Sequence, residues 1–459
     1  MVDITGMTIK EGHDGLKNKR FSAKELVEET LKKIDKEDKD IHAYLYVNKT
    51  RSLEEAMSVD KDIANGKEID SVAGIPIAVK DNILIEDIQA TAGSQILKDY
   101  IASYDSTISK KLKDKKAVLI GKTNLDEFAM GSSTENSSFG PTKNPHDKKR
   151  VPGGSSGGSA AAVTSNMAVA ALGTDTGGSI RQPGAFCGTV GLKPTYGAVS
   201  RFGLIALGSS LDQAGPITKT VEDAAILFNA IRGYDPYDAT SSKIEYSERE
   251  LLSPDLKEIK NLTIGIPDEY FVEGLNKDVG SAIGSAIKSI ESLGLKTKKI
   301  SLPHTKYALS VYYIVLPAEA STNLGRYDGI RYGTRGKHKN LLELYEENRG
   351  GGFGQEPKRR IILGTFALSA GYYDAYYDKA QRVRSLIKDD FDKAFKSVDV
   401  ILTPTAPTTA FKFGDKTDNP LEMYLSDIFT IPANLAGIPA ISIPVKENKG
   451  DLPIGFQLM

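Results

Sequence analysis

The sequence predicts an α/β fold, a sheet with helices packed on its faces. From residue 72 onward, short apolar runs alternate with helical patterns and glycine-containing turns, which is typical of this class. The helical patterns between the runs include 279–293, which Gly294 ends, and 358–384. The predicted strands are 75–79, 117–120, 167–172, 262–266, 398–402 and 440–445.

The N-terminal region has a different, helical pattern. Ser22 and Glu25 are spaced as a capping box, and apolar residues at helical spacing follow them to about residue 38. A second helix is predicted over 52–65, with Gly66 as its C-terminal stop. We interpret residues 1–70 as an N-terminal helical arm and residues 71–459 as the α/β domain, forming a single domain overall.

Two further segments are predicted to be irregular. Residues 235–261 are polar and are expected to be a surface connection, and residues 338–357, which contain three consecutive glycines, are expected to be a loop. Neither has the composition of a domain linker, and the sequence contains no internal repeat.

Composition excludes several classes of protein. The chain has 459 residues, 40% of them hydrophobic and 26% charged, with a net charge of −1, so no overall basic field attracts nucleic acid. The single cysteine, Cys187, rules out an internal disulfide and a cysteine-rich metal site, and we expect no metal site. We find no signal peptide and no apolar run long enough for a membrane span, so we expect a cytoplasmic protein.

Two glycine-rich turns contain the serines of greatest interest: GGSSGG at 153–158 and DTGGSIR at 175–181. Such turns can hold an anion at the start of a helix, but the lysine of a phosphate-binding loop is missing here. They can also expose a serine and direct backbone N–H groups at a developing oxyanion. Taken alone, GGSSGG is equally typical of a flexible structural turn.

Lys80 ends the apolar run GIPIAVK at 74–80, upstream of both turns. Two serines and a lysine in these settings suggest a hydrolytic nucleophile whose base is not histidine. Lysine is a base only when neutral, which requires its pKa to fall by roughly 3 units, or about 4 kcal/mol, as burial in an apolar strand can achieve. Alternatively, Lys80 extends to water, or Asp81 pairs with it and raises its pKa.

Other residues are open to two interpretations. A Ser-His-Asp triad stays an alternative, because its members need only meet in space, although none of the five histidines has a recognisable catalytic setting. Cys187 is predicted to be a small buried thiol. Arg359 and Arg360 are either surface charges or ligands for a substrate carboxylate.

The two turns, with Lys80 upstream, resemble the amidase signature family from about residue 26 to residue 459. Within that family, four segments resemble the corresponding motifs of the glutaminase subunits of tRNA-dependent amidotransferases. These segments are GSSTENSSFG (131–140), KPTYG (193–197), KRRI (358–361) and DIFTIP (427–432). Family members usually continue for a further helix after the motif GFQL at 455–458. This sequence stops at Met459. We expect that difference from the family to affect stability or assembly more than the site.

The resemblance implies a mixed sheet covered by helices on both faces and a Ser–cis-Ser–Lys triad. Ser179 would be the nucleophile, Ser155 the relay at a non-proline cis peptide, and Lys80 the base. The backbone N–H groups of residues 176–179 would form the oxyanion hole, with each donor lowering the barrier by roughly 3 kcal/mol. The oxyanion residues so implied are Thr176, Gly177 and Gly178, followed by the nucleophile itself.

The resemblance also implies the substrate and its ligands. Glutamine would lie near Gly131 and Ser132, with its α-amino group at Asp427 and its α-carboxylate at Arg359, or at Arg360 as the alternative.

A multi-subunit reaction follows from the same resemblance. Ammonia released from glutamine would pass to a tRNA-binding B subunit, which would use ATP and Mg²⁺ to convert Glu-tRNA(Gln) to Gln-tRNA(Gln). A small C subunit would complete a heterotrimer, and this chain would itself hold no cofactor. Two alternatives are a stand-alone amidase of the family acting on other carboxamides, and an inactive scaffold for the tRNA-binding partner.

Overall fold

A mixed β-sheet organises the chain, whose computed structural model describes residues 2–255, 257–271, 274–334, 336, 338–446 and 452–459. Within these residues, eleven strands share one sheet in the spatial order β1-β3-β2-β4-β6-β5-β10-β11-β9-β7-β8. The strands are β1 Tyr44–Val47, β2 Pro76–Lys80, β3 Val118–Thr123, β4 Ala170–Asp175, β5 Val190–Lys193, β6 Gln213–Thr218, β7 Thr263–Pro267, β8 Lys296–Ile300, β9 Val400–Pro404, β10 Ala440–Pro444 and β11 Gly455–Leu458.

Both strand directions occur in this sheet. β2 runs parallel to β3 and β4, and β7 runs parallel to β8 and β9, whereas the remaining pairs are antiparallel. Every residue of β2, β3, β4 and β6 is buried. Because successive side chains point to opposite faces of a sheet, both faces are covered. The predicted α/β fold with a covered mixed sheet is therefore confirmed.

The helices connect the strands and pack against them. For example, α5 lies against β2, β4 and β6. The helices are α1 Ile9–Lys17, α2 Ala23–Ile41, α3 Lys49–Ala64, α4 Thr107–Asp114, α5 Gly157–Thr164, α6 Arg181–Cys187, α7 Val221–Ile231, α8 Glu248–Leu252, α9 Lys277–Ser292, α10 Ala308–Asn323, α11 Leu341–Gly352, α12 Gln355–Leu368, α13 Lys379–Ala394, α14 Pro420–Tyr424 and α15 Ile431–Ala436. None of the helices in the described residues is long and apolar enough to cross a bilayer.

The N-terminal region is helical, as predicted. The capping box of Ser22 and Glu25 begins α2, and α3 matches the second predicted helix. The sequence did not predict β1, which lies between these helices and pairs antiparallel with β3 at the edge of the sheet. Leu26 of α2 and Val59 of α3 share one apolar core with the sheet residue Ile77. The division at residue 70 stays a prediction, but this region contributes to the same core as the sheet.

The single helix predicted over 358–384 is wrong. α12 ends at Leu368, a π-helical turn occupies Asp374–Asp378, and α13 follows. Gly371 between them has a φ of 85°. That left-handed conformation does not continue an α-helix, and it separates the two helices.

The loop predicted over 338–357 is also wrong, because it contains α11. The side chain of Asn340 accepts from the backbone N–H of Glu343 at 2.9 Å and caps the helix. Leu344 and Phe353 are buried against the rest of the protein. Tertiary packing and the cap thus outweigh the low helix propensity of the three glycines.

Candidate active site

Lys80 is the last residue of β2, and its side chain is fully buried. Its Nζ donates to Oγ of Ser155 at 2.7 Å, Oγ of Ser156 at 2.9 Å and Oγ1 of Thr174 at 2.9 Å. Burial lowers the pKa of Lys80 to about 7, against the opposing attraction of three carboxylates at longer range. The amine is therefore available in its neutral form near neutral pH.

Asp81 does not pair with Lys80. Its Oδ1 lies 3.0 Å from Nζ of Lys122, on the neighbouring strand β3. Successive residues of an extended chain point to opposite sides, so Lys80 and Asp81 diverge. In the pairing of β2 with β3, Lys122 is in register with Val79, whose side chain points to the opposite face from that of Lys80. Both alternatives for Lys80, an ion pair with Asp81 and extension to water, are therefore wrong.

The first glycine-serine turn holds Ser155 against this lysine. The peptide bond between Gly154 and Ser155 is cis, as the resemblance implies. The N–H of Gly154 donates to Oε1 of Gln182 at 2.9 Å, and Oγ1 of Thr134 donates to the carbonyl of Gly153 at 2.8 Å. These bonds fix the turn immediately before α5 begins.

The second turn brings Ser179 to the first. The N–H of Ser156 donates to the carbonyl of Ser179 at 3.1 Å, so the two turns are in contact. Ser179 is half-buried, and its hydroxyl makes no hydrogen bond to any other described residue. No histidine in the described part of the chain hydrogen-bonds to Ser155 or Ser179, which removes the basis for a Ser-His-Asp triad.

The glycines of the second turn lie under close neighbours. A Cβ at Gly177 would lie 2.6 Å from the Tyr312 hydroxyl. A Cβ at Gly178, whose φ is 133°, would overlap the Thr430 side chain. Both positions therefore require glycine, and the turn packs directly on these two side chains.

The carboxylate of Asp175 organises the N–H groups of the same turn. Its Oδ1 accepts from the N–H of Gly178 at 2.8 Å, and its Oδ2 accepts from Nε of Arg181 at 3.0 Å. Burial acts to raise the pKa of Asp175, but the charge and hydrogen bonds of Arg181, together with Lys193 and Asn434, outweigh it and lower the pKa to about 2. Asp175 is therefore an anion at neutral pH.

This contact corrects one predicted oxyanion donor. The N–H of Gly178 is directed at Asp175 and is not free for a substrate oxygen. The N–H groups of Thr176, Gly177 and Ser179 make no hydrogen bond to the described residues. These three groups stay the predicted oxyanion donors.

Ser132 and Asp427, both predicted to lie at the substrate, are in contact. The Ser132 hydroxyl donates to Oδ2 of Asp427. Oδ1 of Asp427 is buried and has no hydrogen-bond partner among the described residues. Burial raises the pKa of Asp427 to about 7. Thr430 connects this pair to the Ser179 turn, because its Oγ1 lies 3.0 Å from the carbonyl of Asp427 and 2.6 Å from the carbonyl of Gly177.

The two candidate arginines have different environments. Arg360 is buried, its Nε donates to Glu356 at 2.8 Å, and its guanidinium lies 5.3 Å from the ring centre of Tyr313. Arg359 also pairs with Glu356, but its side chain is 44% exposed. Arg359 lines a cleft of about 150 Å³ that Gly131 also lines. Arg359 is thus the arginine accessible from the cleft, whereas protein groups surround Arg360.

Sequence reasoning missed two residues that contact Lys80, namely Ser156 and Thr174. Ser156 stands within the GGSSGG motif, directly after Ser155, and Thr174 precedes Asp175 at the end of β4. The positions of these two residues, within or next to the two motifs, could have identified them from the sequence. Cys187 is buried, and burial raises the pKa of its thiol, which confirms the prediction of a small buried thiol.

Comparison with known proteins agrees with this geometry. The family model described as Amidase matches residues 25–459. The chain belongs to the amidase family. It is 57% identical over 459 residues to the A subunit of the glutamyl-tRNA(Gln) amidotransferase from Carboxydothermus hydrogenoformans, covering all of this chain and 94% of that one. The corresponding protein of Thermodesulfovibrio yellowstonii is 57% identical over 436 residues, which are 95% of this chain and 89% of that one.

Solved structures of amidases share the fold. The crystal structure of the A subunit of the glutamyl-tRNA(Gln) amidotransferase from Thermotoga maritima is 43% identical, with a TM-score of 0.81 over 100% of this chain and 91% of that one. A bacterial aryl acylamidase of the amidase signature family is 25% identical, with a TM-score of 0.86 over 98% of this chain and 92% of that one.

Proposed function

We propose that this amidase is the glutaminase subunit of a tRNA-dependent amidotransferase, supplying ammonia for the conversion of Glu-tRNA(Gln) to Gln-tRNA(Gln). The observation that carries the proposal is the buried amine of Lys80, 2.7 Å from the Ser155 hydroxyl and beside the turn of Ser179. Its support from relatives is 57% identity, over the full chain, to the A subunit of a glutamyl-tRNA(Gln) amidotransferase.

The first step is acylation of Ser179. Neutral Lys80 accepts the proton of the Ser155 hydroxyl while Ser155 accepts the proton of Ser179. The Ser179 oxygen attacks the side-chain amide carbon of glutamine, and the carbonyl oxygen becomes an oxyanion. The N–H groups of Thr176 and Gly177, with that of Ser179, stabilise this oxyanion.

The second step releases ammonia and then glutamate. The C–N bond breaks as Lys80 returns its proton, through Ser155, to the leaving nitrogen, so ammonia departs and a glutamyl ester remains on Ser179. A water molecule then attacks the ester with the same base. The products are glutamate and ammonia, and the free enzyme is restored.

Selection of glutamine depends on groups at its α-carbon. The unpartnered oxygen of Asp427 is a site for the α-ammonium group, and Arg359 in the cleft is the ligand for the α-carboxylate. A buried carboxyl oxygen without a hydrogen-bond partner favours a ligand that supplies a donor. Gly131 lines the same cleft as Arg359.

The partners follow from the same proposal. A tRNA-binding B subunit receives the ammonia and holds the ATP and Mg²⁺, a small C subunit completes the heterotrimer, and the complex works in the cytoplasm. The net charge of −1 on this chain supports assigning tRNA binding to the partner.

The second candidate function is a stand-alone amidase acting on other carboxamides. The observation that favours it is the shared fold of the aryl acylamidase, at a TM-score of 0.86. A substrate screen separates the two. Hydrolysis of aliphatic or aryl amides by the chain alone, with none of glutamine, would establish this alternative and exclude the first.

Trapping the covalent intermediate tests the proposal. The full chain, with its partner subunits, is quenched with acid during glutamine turnover, and the modified peptide is located by mass spectrometry. We expect a glutamyl ester on Ser179, none in Ser179→Ala, and wild-type levels in Ser71→Ala, a serine whose hydroxyl donates to Asp70. Unchanged glutamine-dependent amidation by a complex containing Ser179→Ala would instead support the inactive scaffold.

A further inference from the structure

Two adjacent carboxylates, Asp126 and Glu127, hold different walls of the proposed glutamine pocket. Both side chains are buried, and neither hydrogen-bonds to Lys80, Ser155 or Ser179 within the described residues. The mechanism above uses neither of them. Each accepts hydrogen bonds from backbone N–H groups, and the two sets of donors belong to separate segments.

Asp126 holds the loop 131–136 against the Ser155 turn. Its Oδ2 accepts from the N–H of Thr134 at 2.8 Å, and its Oδ1 accepts from the N–H of Asn136 at 3.1 Å. A Cβ added to Gly131 or to Gly154 would overlap the same Oδ2. The carboxylate therefore lies between the pocket loop and the residue that precedes Ser155, and it contacts both.

Glu127 holds the N-terminus of α12. Its Oε2 accepts from the N–H of Gly354, the N-cap residue, at 2.9 Å, and its Oε1 accepts from the Ser94 hydroxyl at 2.5 Å. A carboxylate at a helix N-terminus interacts favourably with the free N–H groups and the helix dipole. α12 is the helix that presents Arg359 to the cleft. Glu127 therefore contacts the N-cap of the helix that carries Arg359.

The backbone between these contacts is unusual. Phe128, Ala129 and Thr134 have φ values of 49°, 61° and 64°, in the left-handed region that non-glycine residues rarely adopt. Such conformations persist only when the surrounding structure imposes them, and they concentrate at functional sites. The two carboxylates supply contacts on either side of this segment.

We propose that Asp126 and Glu127 are positioning residues. Together they fix the distance between Arg359, the ligand of the substrate α-carboxylate, and the turns of Ser155 and Ser179. Asp126 aligns the loop 131–136 with the Ser155 turn, and Glu127 aligns α12 with that loop. Because the two residues are consecutive, the two alignments are coupled. The inference rests on the proposed function, in which glutamine is the ligand of Arg359.

Steady-state hydrolysis of glutamine by the full chain, with its partner subunits, tests the inference. For Glu127→Gln we expect the KM for glutamine to rise at least tenfold while kcat stays within threefold. Labelling of Ser179 by a small fluorophosphonate, which has no α-carboxylate, should keep its wild-type rate. For Asp126→Asn we expect a raised KM together with slower labelling, because its carboxylate also contacts Gly154.

Asp223→Asn is the matched control. Asp223 is a buried carboxylate whose Oδ1 accepts from the N–H of Ile9 at 3.0 Å, at the start of α1, remote from the pocket. We expect its variant to retain wild-type KM and labelling even if its melting temperature falls. If Glu127→Gln does not fold, Gly354→Ala perturbs the same contact from the helix side, because its Cβ would overlap Glu127. It should raise KM in the same way.

The outcomes separate the inference from the proposed function. A folded Glu127→Gln with unchanged KM, or with kcat and labelling reduced together, would overturn the inference and leave the glutaminase proposal standing. If the wild type does not hydrolyse glutamine, the proposed function fails, and amide hydrogen exchange decides the inference. Faster exchange at Gly354 in Glu127→Gln and at Thr134 in Asp126→Asn would then support it, and unchanged exchange would overturn it.

Discussion

The ends of β2 and β3 each contain a buried lysine, and the two lysines have different surroundings. Lys122 on β3 lies 3.0 Å from the carboxylate of Asp81, whereas Lys80 on β2 contacts hydroxyl and carbonyl oxygens. Burial lowers the pKa of both amines, that of Lys80 to about 7. Burial alone therefore does not distinguish a base from a structural cation. The partner in contact does, because a carboxylate stabilises the ammonium and a neutral hydroxyl does so much less.

The largest expected effect is the difference in kcat between two variants in which each lysine is replaced by methionine, an apolar residue of similar shape. Lys80→Met should lower kcat for glutamine by roughly 10³-fold, the contribution of a positioned general base. Lys122→Met, in the fraction that folds, should stay within tenfold of wild type because Lys122 contacts neither serine. Steady-state glutaminase assays on both variants measure this. Equal losses in the two would show that the comparison is wrong.

In stability, by contrast, Lys122→Met should lose more than Lys80→Met. Lys122→Met leaves the Asp81 carboxylate buried without its cation, which costs about 3–5 kcal/mol. The double variant Lys122→Met/Asp81→Asn should recover most of that loss, because the uncompensated charge is gone. Urea unfolding at pH 7 measures both. A double variant no more stable than Lys122→Met would indicate that the pair matters through shape and not through charge.

A pH series sharpens the comparison through Lys80. At saturating glutamine, kcat should rise with pH through about 7, because the base must lose its proton. Saturation matters because burial raises the pKa of Asp427 to about 7 as well, and Asp427 is the proposed ligand of the α-ammonium group. The folded pKa of Lys80 lies below its unfolded value of about 10.4, so the unfolded chain binds more protons between pH 7 and 10.

The stability of the wild type relative to Lys80→Met should therefore increase with pH in that range, by about 1.4 kcal/mol per pH unit. Unfolding free energies at pH 7 and pH 9 check the sign. A stability difference independent of pH would mean that the pKa of Lys80 is not lowered in the folded protein.

The smallest expected effect concerns one hydroxyl around Lys80. Ser156→Ala removes an acceptor 2.9 Å from the amine, worth about 1 kcal/mol, so kcat should fall about five- to tenfold. Ser159→Ala is the control, since Ser159 is equally buried in α5 but bonds to the carbonyl of Leu172 at 3.0 Å. We expect its kcat to stay within twofold of wild type. A larger loss in Ser159→Ala would assign the effect to helix packing.

Two of the strands that the sequence did not predict, β6 and β8, have a low density of apolar side chains. β6 contains Gly215 and Pro216, and β8 contains three lysines. These segments become strands because neighbouring strands pair with them, β4 with β6 and β7 with β8. Intrinsic preference does not predict such pairing, because the partner segments are distant in sequence.

The sequence by itself determined the fold class, the two glycine-serine turns and the lysine at the end of an apolar strand, because those signals are local: periodicity, turn chemistry and burial of a run. Only the tertiary structure decided that Asp81 pairs with Lys122, that Arg359 and not Arg360 faces the cleft, and that the Gly178 N–H belongs to Asp175. Each of those outcomes is a distance between groups. Sheet register and the packing of remote segments set such distances, and electrostatic and hydrogen-bond energies depend steeply on them.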